Sequence, residues 1–276
     1  MTGVKGRGAV EALEVVFLGS SGCIQVPAFF CDCATCRAAR ANEGLRRTRA
    51  GLAVLGSETV LIDAGPDLAS QLEREQIRRV DRIFLTHWHG DHVGGLGDLG
   101  EPSTICAWPP IAVYVPSGDA HHFDQELAYL RPRLNVHPIE PGRRVELADG
   151  VWQVVKTNHT DHSVGFVVHA GRTFAYLVDG IVPPAETLER LAGCDLLIIE
   201  ATMDELDEPH WKNFSVQQAV AFWQDTGIAQ CILTHCSCHS WRGGKLVAGW
   251  TREQRGAFER DHPGLTFARD GMRIRP

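Results

Sequence analysis

The run from residue 87 to residue 92, His-Trp-His-Gly-Asp-His, constrains this 276-residue chain more than any other part of its sequence. It directly follows Arg82-Ile83-Phe84-Leu85, an apolar segment that predicts a buried β-strand. The first two histidines can point the same way on extended backbone, and the aspartate and third histidine follow as the chain turns. Imidazole and carboxylate groups suit zinc, manganese or iron. Four such ligands exceed what one open catalytic ion takes from so short a segment, so the run predicts a pair of metal ions.

A second apolar stretch ends in the same three residues as the first. Arg82-Ile-Phe-Leu-Thr-His87 resembles Gln230-Cys-Ile-Leu-Thr-His235, because both end in Leu-Thr-His. Two strands that each deliver a histidine from the same end can contribute to one site. We interpret the similarity as two related halves that face each other across a cleft, rather than as a solenoid repeat. Short β-rich runs alternate with helical patches elsewhere, which favours a layered fold in which helices cover two sheets.

Three of the nine cysteines form a tight cluster with the spacing Cys31-x-Cys33-x-x-Cys36. The first residues of the chain do not resemble a signal peptide, so we expect free thiols rather than a disulfide framework. Clustered thiols in a cytosolic chain predict a structural zinc site, and reduced cysteines without metal are the alternative. A closed tetrahedral zinc site requires a fourth ligand in addition to these three thiolates.

Charge and composition narrow the range of partners. The formal net charge is −7, whereas nucleic-acid binding favours a basic face, so we expect a small-molecule substrate and no nucleic acid. No apolar run approaches the length of a membrane span, and we expect a cytoplasmic protein without a membrane partner. No linker or low-complexity segment interrupts the sequence. We therefore predict one domain over residues 1–276, with residues 1–12 as a flexible N-terminal tail.

These motifs together resemble those of the metallo-β-lactamase superfamily, whose signature is His-x-His-x-Asp-His after a strand. Within that superfamily the chain is similar to the phosphodiesterases of the carbon–phosphorus lyase pathway, which act on phosphoribosyl 1,2-cyclic phosphate. The similarity extends from about Leu13 to about Ile274. It includes Gly19-Ser-Ser-Gly22, Val26-Pro27-Ala28, the cysteine cluster and Leu61-Ile-Asp-Ala-Gly65. It implies an α/β protein with a four-layer αββα arrangement, in which two mixed β-sheets are sandwiched between helices.

The resemblance also assigns the ligands of a dinuclear site. One ion would be held by His87, His89 and His159 and the other by Asp91, His92 and His235, with Asp179 bridging both. His162 is the alternative to His159, which its spacing to Gly165 favours. Asp179 closes a predicted strand, where a simple turn aspartate is the alternative. Asp63 also ends a strand, and we expect it either to orient a ligand histidine through the other ring nitrogen or to form a turn.

Two positions of the family pattern stay open in this chain. The family places a histidine three residues after the last catalytic histidine, and here Cys238 stands there, followed by His239. Cys238 would complete a four-thiolate zinc site, which its position favours, and His239 would instead give three thiolates with one imidazole. The family also keeps a histidine near the position of His210, thought to act on the substrate or leaving group. An exposed loop position is the alternative for His210.

Arg46, Arg47 and Arg49 form a short basic run. Arginines can hold a phosphate through paired hydrogen bonds. A solvated loop is the interpretation that we favour for this run.

The sequence thus predicts a metal-dependent phosphoric diester hydrolase. Two divalent ions, manganese or zinc with iron as a further option, would activate water for attack on a small phosphodiester. The expected substrate is a cyclic phosphodiester such as phosphoribosyl 1,2-cyclic phosphate, in phosphonate metabolism, and the family suggests a homodimer. We assign catalytic roles to Asp91 and His210. The alternatives are hydrolysis of a thioester, lactone or lactam on the same fold, processing of tRNA 3′ ends, and a non-catalytic zinc protein of the pyrroloquinoline quinone pathway type.

Overall fold

The computed structural model describes residues 13–207 and 212–276. The predicted N-terminal tail, residues 1–12, and the candidate catalytic residue His210 lie outside the described residues. The strands are β1 Glu14–Gly19, β2 Gly51–Leu55, β3 Thr59–Ile62, β4 Arg82–Phe84, β5 Ile111–Pro116, β6 Leu134–Ile139, β7 Arg144–Leu147, β8 Gly150–Lys156, β9 Val164–Ala170, β10 Arg172–Leu177, β11 Leu196–Glu200, β12 Gln230–Thr234, β13 His239–Arg242, β14 Lys245–Ala248, β15 Leu265–Phe267 and β16 Arg273–Ile274. The α-helices are α1 Ala34–Ala41, α2 Leu68–Arg74, α3 Gly90–Val93, α4 Gly100–Ile105, α5 Ala120–Glu126, α6 Ala185–Leu191, α7 Val216–Thr226 and α8 Arg252–Asp261.

Two seven-stranded sheets form the centre of the described structure. In the first, the strand order is β16-β1-β2-β3-β4-β5-β6, antiparallel from β16 to β3 and parallel from β3 to β6. In the second, the order is β15-β12-β11-β10-β9-β8-β7, with β7 to β10 antiparallel and β10, β11, β12 and β15 parallel. Both sheets are therefore mixed, as predicted.

The alternation of side chains along each strand creates separate layers. In β1, Val15 and Phe17 face the second sheet, while Val16 and Leu18 face the helices outside. Between the sheets, Phe84 of β4 stacks on Trp152 of β8, with ring centroids 4.6 Å apart. Helix α2 packs on the outer face of the first sheet and α7 on that of the second. The predicted four-layer αββα arrangement is confirmed.

Two of the longer helices begin at capping boxes. At the start of α7, the Ser215 side chain accepts a hydrogen bond from the Gln218 N–H, and the Gln218 side chain accepts from the Ser215 N–H. Thr251 and Gln254 form the same arrangement at the start of α8. These contacts pair backbone N–H groups that have no partner within the helix. None of the described helices is long and apolar enough to cross a membrane.

Parallel strands of both sheets end at the edge where the candidate metal ligands begin. In the first sheet Ile62 of β3 pairs with Phe84 of β4, so Asp63 and the Leu85-Thr86-His87 segment leave the sheet side by side. In the second sheet Glu200 of β11 pairs with Thr234 of β12, immediately before His235. The strand ends of the two sheets thereby bring residues that are distant in sequence to one region.

Candidate metal centre

Three histidines from three segments converge at these strand ends. His87 follows β4, His89 precedes α3 as its N-terminal cap, and His159 follows β8. One ring nitrogen from each lies within 4.8 Å of those of the other two. His159 Nε2 is 3.3 Å from His89 Nδ1. The structure thus brings together the group that the sequence assigns to one ion. His162, the alternative to His159, packs instead against the backbone at Gly118, where an added Cβ would lie within 2.4 Å of three of its ring atoms.

A second group, Asp91, His92, Asp179 and His235, has ligand atoms that all lie within 4.8 Å of one another. Asp91 Oδ2 is 3.3 Å from His92 Nε2 and 3.4 Å from His235 Nε2. Asp179 Oδ2 is 3.6 Å from His92 Nε2 in this group and 3.8 Å from His159 Nε2 in the other. The Asp179 carboxylate therefore faces both groups, which is the position that a bridging ligand requires.

The hydrogen bonding of two buried rings shows that these side chains fit metal ions. His87 Nδ1 is 3.0 Å from Thr86 Oγ1, and His92 Nδ1 is 2.7 Å from Asp63 Oδ2. Nε2 of both rings is buried and has no hydrogen-bond partner among the described residues. Buried polar atoms without a partner are costly, and coordination at Nε2 would satisfy both rings. Imidazole and carboxylate donors in this number suit two divalent ions.

Asp63 supports the first sheet's half of the centre. It is 1% exposed and has a left-handed backbone, with φ 65°. Its Oδ1 accepts hydrogen bonds from the N–H of Thr86, at 2.8 Å, and from the Thr86 hydroxyl, at 3.0 Å. Its Oδ2 lies 2.7 Å from His92 Nδ1. Of the two interpretations of Asp63, this placement favours the orienting role over a simple turn.

Glu200 and Thr202 support the second sheet's half, and sequence reasoning missed both. Glu200 is fully buried, and its Oε2 accepts from the Thr202 N–H, at 2.8 Å, and hydroxyl, at 2.7 Å. The Thr202 hydroxyl lies 2.9 Å from His235 Nδ1. Burial, together with the charge of Asp179, raises the pKa of Glu200 to about 7. The available signal was an acidic residue that ends the apolar strand β11, as Asp63 follows β3.

Burial and the proximity of charges set the protonation states of the centre. Burial, with the nearby His92, lowers the pKa of His87 well below its ordinary value, so this ring is neutral at neutral pH. Burial would raise the pKa of Asp91, but the adjacent His235 and His92 rings hold it far below its usual range. Burial is likewise outweighed at Asp179, whose pKa the same two histidines lower. Neutral imidazole and anionic carboxylate are the forms that bind metal. Despite burial, the nearby carboxylates raise the pKa of His92 and His235, so these two rings would release a proton when they bind an ion.

The cysteine cluster lies between the start of α1 and the start of β13. Cys33 caps α1 by accepting a hydrogen bond from the Cys36 N–H, at 3.4 Å. Cys31 Sγ is 3.0 Å from His239 Nε2, and Cys238 Sγ is 3.2 Å from His239 Nδ1. The ligand atoms of Cys31, Cys33, Cys238 and His239 all lie within 4.8 Å of one another.

Cys36 is the one predicted thiolate outside that group of four. Its Sγ accepts a hydrogen bond from the Ala28 N–H, at 3.4 Å. It also interacts with the Cys238 thiol, and burial together with this contact raises the pKa of that thiol. Five candidate donors therefore converge where a closed tetrahedral zinc ion takes four. Both alternatives for the fourth ligand, Cys238 and His239, reach the cluster. All nine cysteines lie in the described ranges and are free thiols.

The three arginines of the basic run lie in different environments. Arg49 pairs with Asp67, at 3.0 Å, and Arg46 lies 3.6 Å from Glu43. Arg47 points elsewhere and donates to the Ser237 carbonyl, at 3.2 Å. These three arginines therefore do not form one phosphate site.

Two mixed sheets between helices, with two groups of candidate metal ligands at the strand ends, define a class of metal-binding proteins on a layered α/β fold. The family model "Beta-lactamase superfamily domain" matches residues 58–236. The chain belongs to this superfamily, and its fold is the metallo-β-lactamase fold, which binds divalent metal ions.

The proteins to which this chain is similar include the following three. An octanoyltransferase of Porphyromonas gingivalis is 28% identical over 239 residues, which cover 83% of this chain but only 46% of that protein. The coenzyme PQQ synthesis protein B of Rhodopseudomonas palustris is 25% identical over 302 residues, covering 86% of this chain and 96% of the relative. The crystal structure of a diphosphatase from the PhnP family has a TM-score of 0.80 at 25% identity, covering 95% of this chain and 97% of that one. The chain thus spans about half of the first relative and nearly all of the other two.

Proposed function

We propose that this chain is a metal-dependent phosphodiesterase that hydrolyses a small cyclic phosphodiester, such as phosphoribosyl 1,2-cyclic phosphate. The observation that carries the proposal is the Asp179 carboxylate, which faces the His87–His89–His159 group on one side and the Asp91–His92–His235 group on the other. A shared carboxylate between two complete ligand groups is the arrangement expected of a two-metal hydrolase. Similarity to a diphosphatase over nearly the whole chain supports attack at phosphorus.

The residues of this chain would prepare the centre for that chemistry before a substrate arrives. When bound, two divalent ions would lower the pKa of water and offset charge on the phosphoryl oxygens. Asp91 and Asp179 would hold the ions as anions, because their pKa values are far below neutrality. Asp63 fixes the ring of His92, and Thr202 contacts that of His235, so the ligands need little rearrangement.

The chemistry of a cyclic phosphodiester suits this arrangement. Opening a five-membered ring relieves strain, so the leaving oxygen needs little further activation. His210 stays our candidate for protonating that oxygen. The product would be a phosphomonoester on the opened diol.

A second candidate reaction is hydrolysis of a diphosphate. The similarity to a diphosphatase of the PhnP family, at a TM-score of 0.80, favours it over the thioester and lactam alternatives. The attack at phosphorus would be the same, and the leaving group would be a phosphate in place of a sugar hydroxyl. The two candidates differ in substrate rather than in the use of the centre.

A substrate panel tests the proposal. The protein would be loaded separately with zinc and manganese and assayed with phosphoribosyl 1,2-cyclic phosphate, bis-p-nitrophenyl phosphate, a dinucleotide diphosphate, a thioester, a β-lactam and a tRNA precursor. We expect turnover of the cyclic phosphodiester, with bis-p-nitrophenyl phosphate as a slower substrate. Turnover of the diphosphate alone would select the second candidate.

The remaining outcomes of the panel would contradict the proposal. Turnover of only the thioester or lactam would assign the centre to attack at carbon. Cleavage of only the tRNA precursor would assign it to RNA, although the net charge of −7 disfavours that partner. A protein that binds one zinc ion at the thiols and turns over nothing would be a non-catalytic relative.

A further inference from the structure

A cavity of about 600 Å³ opens between α1 and α8, and none of the candidate metal ligands lines it. Its volume is within the roughly 300–1,000 Å³ that is typical of small-molecule sites. Part of its wall is apolar, formed by Leu45, Trp250 and Phe267. The rest includes Arg47 of the basic run and Arg255 of α8. The cavity therefore combines an apolar surface with cationic groups.

Arg47 and Arg255 lie side by side at this cavity. Nη2 of each donates a hydrogen bond to the same acceptor, the carbonyl oxygen of Ser237, and both distances are 3.2 Å. Burial, together with the charge of Arg255, lowers the pKa of Arg47 to about 10. Two adjacent guanidinium groups of like charge repel each other unless an anion lies nearby.

Only one of these two cations has a carboxylate partner. Arg255 Nη2 is 3.1 Å from Oδ1 of Asp204, which is fully buried. The other oxygen of Asp204 accepts the N–H of Trp250, at 2.7 Å. Across residues 13–207 and 212–276, no carboxylate forms an ion pair with Arg47. The charges of Asp204 and Asp270 act on Arg47 without a direct ion pair, so its positive charge at the cavity wall is only partly compensated.

The other acidic groups that line the cavity already accept hydrogen bonds. Asp270 accepts from the Thr48 N–H, at 2.7 Å, and Glu259 from the Phe267 N–H, at 2.7 Å. Glu253 accepts from the Thr251 hydroxyl, at 3.1 Å.

Arg46, Arg252 and Arg269 add three further cations to the lining. Five arginines thus face the cavity with three carboxylates.

Both arginines keep donors for a ligand. In their hydrogen bonds to described residues, Arg47 and Arg255 use only Nη2. Nε of Arg255 is buried and has no partner in the described part of the chain. A guanidinium offers donors in a planar fork that matches the oxygens of phosphate or carboxylate.

We propose that this cavity is a binding site for a small organic anion, whose phosphate or carboxylate group is held by Arg47 and Arg255 and whose apolar part lies against Trp250 and Phe267. The site is separate from the candidate metal centre, and it does not depend on the reaction proposed for that centre. Such an anion would give Arg47 the direct ion pair that it lacks among the described residues and would accept hydrogen bonds from the free donors of Arg255.

Calorimetric titration of the metal-loaded protein with three aromatic probes tests the site. Phenyl phosphate and benzoate share a ring and differ in the anionic group, and benzamide is a neutral analogue of benzoate. We expect at least one of the two anions to bind and benzamide not to bind. The anion that binds more tightly identifies the preferred group. Absence of saturable binding of both anions at millimolar concentrations would overturn the proposal.

Paired variants locate the bound anion. Arg47→Gln should weaken binding about tenfold or more, because it removes charge-assisted hydrogen bonds. Arg131→Gln is the matched control, since that arginine pairs with Asp124 at the surface. His89→Ala should bind the anion as the parent protein does. The reverse pattern, with binding lost in His89→Ala and kept in Arg47→Gln, would place the anion at the metal centre and overturn the proposal.

A second variant tests the same location if Arg47→Gln does not fold. Gly256 lines the cavity from α8, and a Cβ added there would meet only Arg260 Nη1, at 3.8 Å. Gly256→Phe should therefore fill the cavity without removing a charge, and glycine is a poor helix former in any case. We expect this variant to fold and to lose anion binding. Unchanged binding in a folded Gly256→Phe protein would contradict the proposed location.

Discussion

Four of the candidate ligand histidines use one ring nitrogen for a contact within the protein. Nδ1 of His87, His92 and His235 faces Thr86, Asp63 and Thr202 respectively, and Nδ1 of His159 is 2.9 Å from the Lys212 carbonyl. These contacts fix the orientation of each ring and leave Nε2 for an ion. The residues behind the ligands therefore matter for metal affinity as well as the ligands themselves.

We expect His89→Ala to abolish turnover while the fold survives. His89 is exposed and caps α3 without a side-chain hydrogen bond, so its removal costs the fold little and takes away one ligand. Turnover, metal content and circular dichroism would be measured together. His121→Ala, an exposed histidine outside both groups, is the control. Full activity of His89→Ala at full metal content would contradict the assignment of ligands.

Thr202→Val should weaken metal binding in the centre by about 10–100-fold, as loss of a supporting contact typically does. The change keeps the shape of the side chain and removes the hydroxyl that links Glu200 to His235. Competition with a chelator would measure the affinity. Thr187→Val removes a buried hydroxyl that donates to the Lys156 carbonyl rather than to a candidate ligand, and it should leave affinity unchanged. Equal effects of the two variants would argue against a role for Thr202.

The sequence predicted the candidate metal ligands more completely than it predicted the residues that lie behind them and hold their rings in place. The ligand candidates stand in short motifs at strand ends, so spacing and residue type indicate them. Asp63 could be proposed because it follows a clear apolar strand. Glu200 and Thr202 could not, because their role depends on β11 and β12 lying side by side, and pairing between distant strands is not visible in local spacing.

At the scale of elements, the cysteine cluster joins the start of α1 to the start of β13. These elements are about two hundred residues apart in sequence, so an ion between them would close a long loop. The β13–β14 hairpin went unpredicted because its strands lack apolar alternation. Its turn, Gly243-Gly244, has φ of 58° and 70°, which glycine adopts without strain. The adjacent glycines were the signal that sequence reasoning could have used.

Cys33→Ser should lower both the zinc content and the stability of the protein. A structural zinc ion contributes free energy of folding directly, so losing one thiolate ligand should reduce the midpoint of thermal unfolding. Zinc content and thermal unfolding would be measured on the same preparation. Cys194→Ser changes a buried thiol outside the cluster and should keep the zinc. Unchanged zinc content in Cys33→Ser would show that Cys33 is not a ligand.

At the scale of the whole molecule, the two sheets share one apolar layer. Phe84 lies in its middle, fully buried, with Tyr114 stacked at 4.3 Å and Trp152 at 4.6 Å. The layered arrangement could be predicted because apolar strands and helical patches alternate along the chain. The order of strands within each sheet could not, since it is set by which apolar faces fit together across the layer.

Phe84→Ala should reduce the free energy of unfolding by about 3–5 kcal/mol, the typical cost of truncating a buried aromatic residue. Denaturant unfolding would measure the change. Tyr129→Ala removes an aromatic ring that is 70% exposed and should cost little. A small effect of Phe84→Ala would mean that the layer between the sheets collapses around the vacated space.

Each candidate ion draws its ligands from both sheets. His87, His89, Asp91 and His92 come from the first, whereas His159, Asp179 and His235 come from the second. The ions would therefore link the two sheets at the edge where the ligand-bearing segments leave them. Stripping the metal should loosen that edge first, and amide hydrogen exchange should accelerate around α3 and the end of β12 before the layer beneath begins to open.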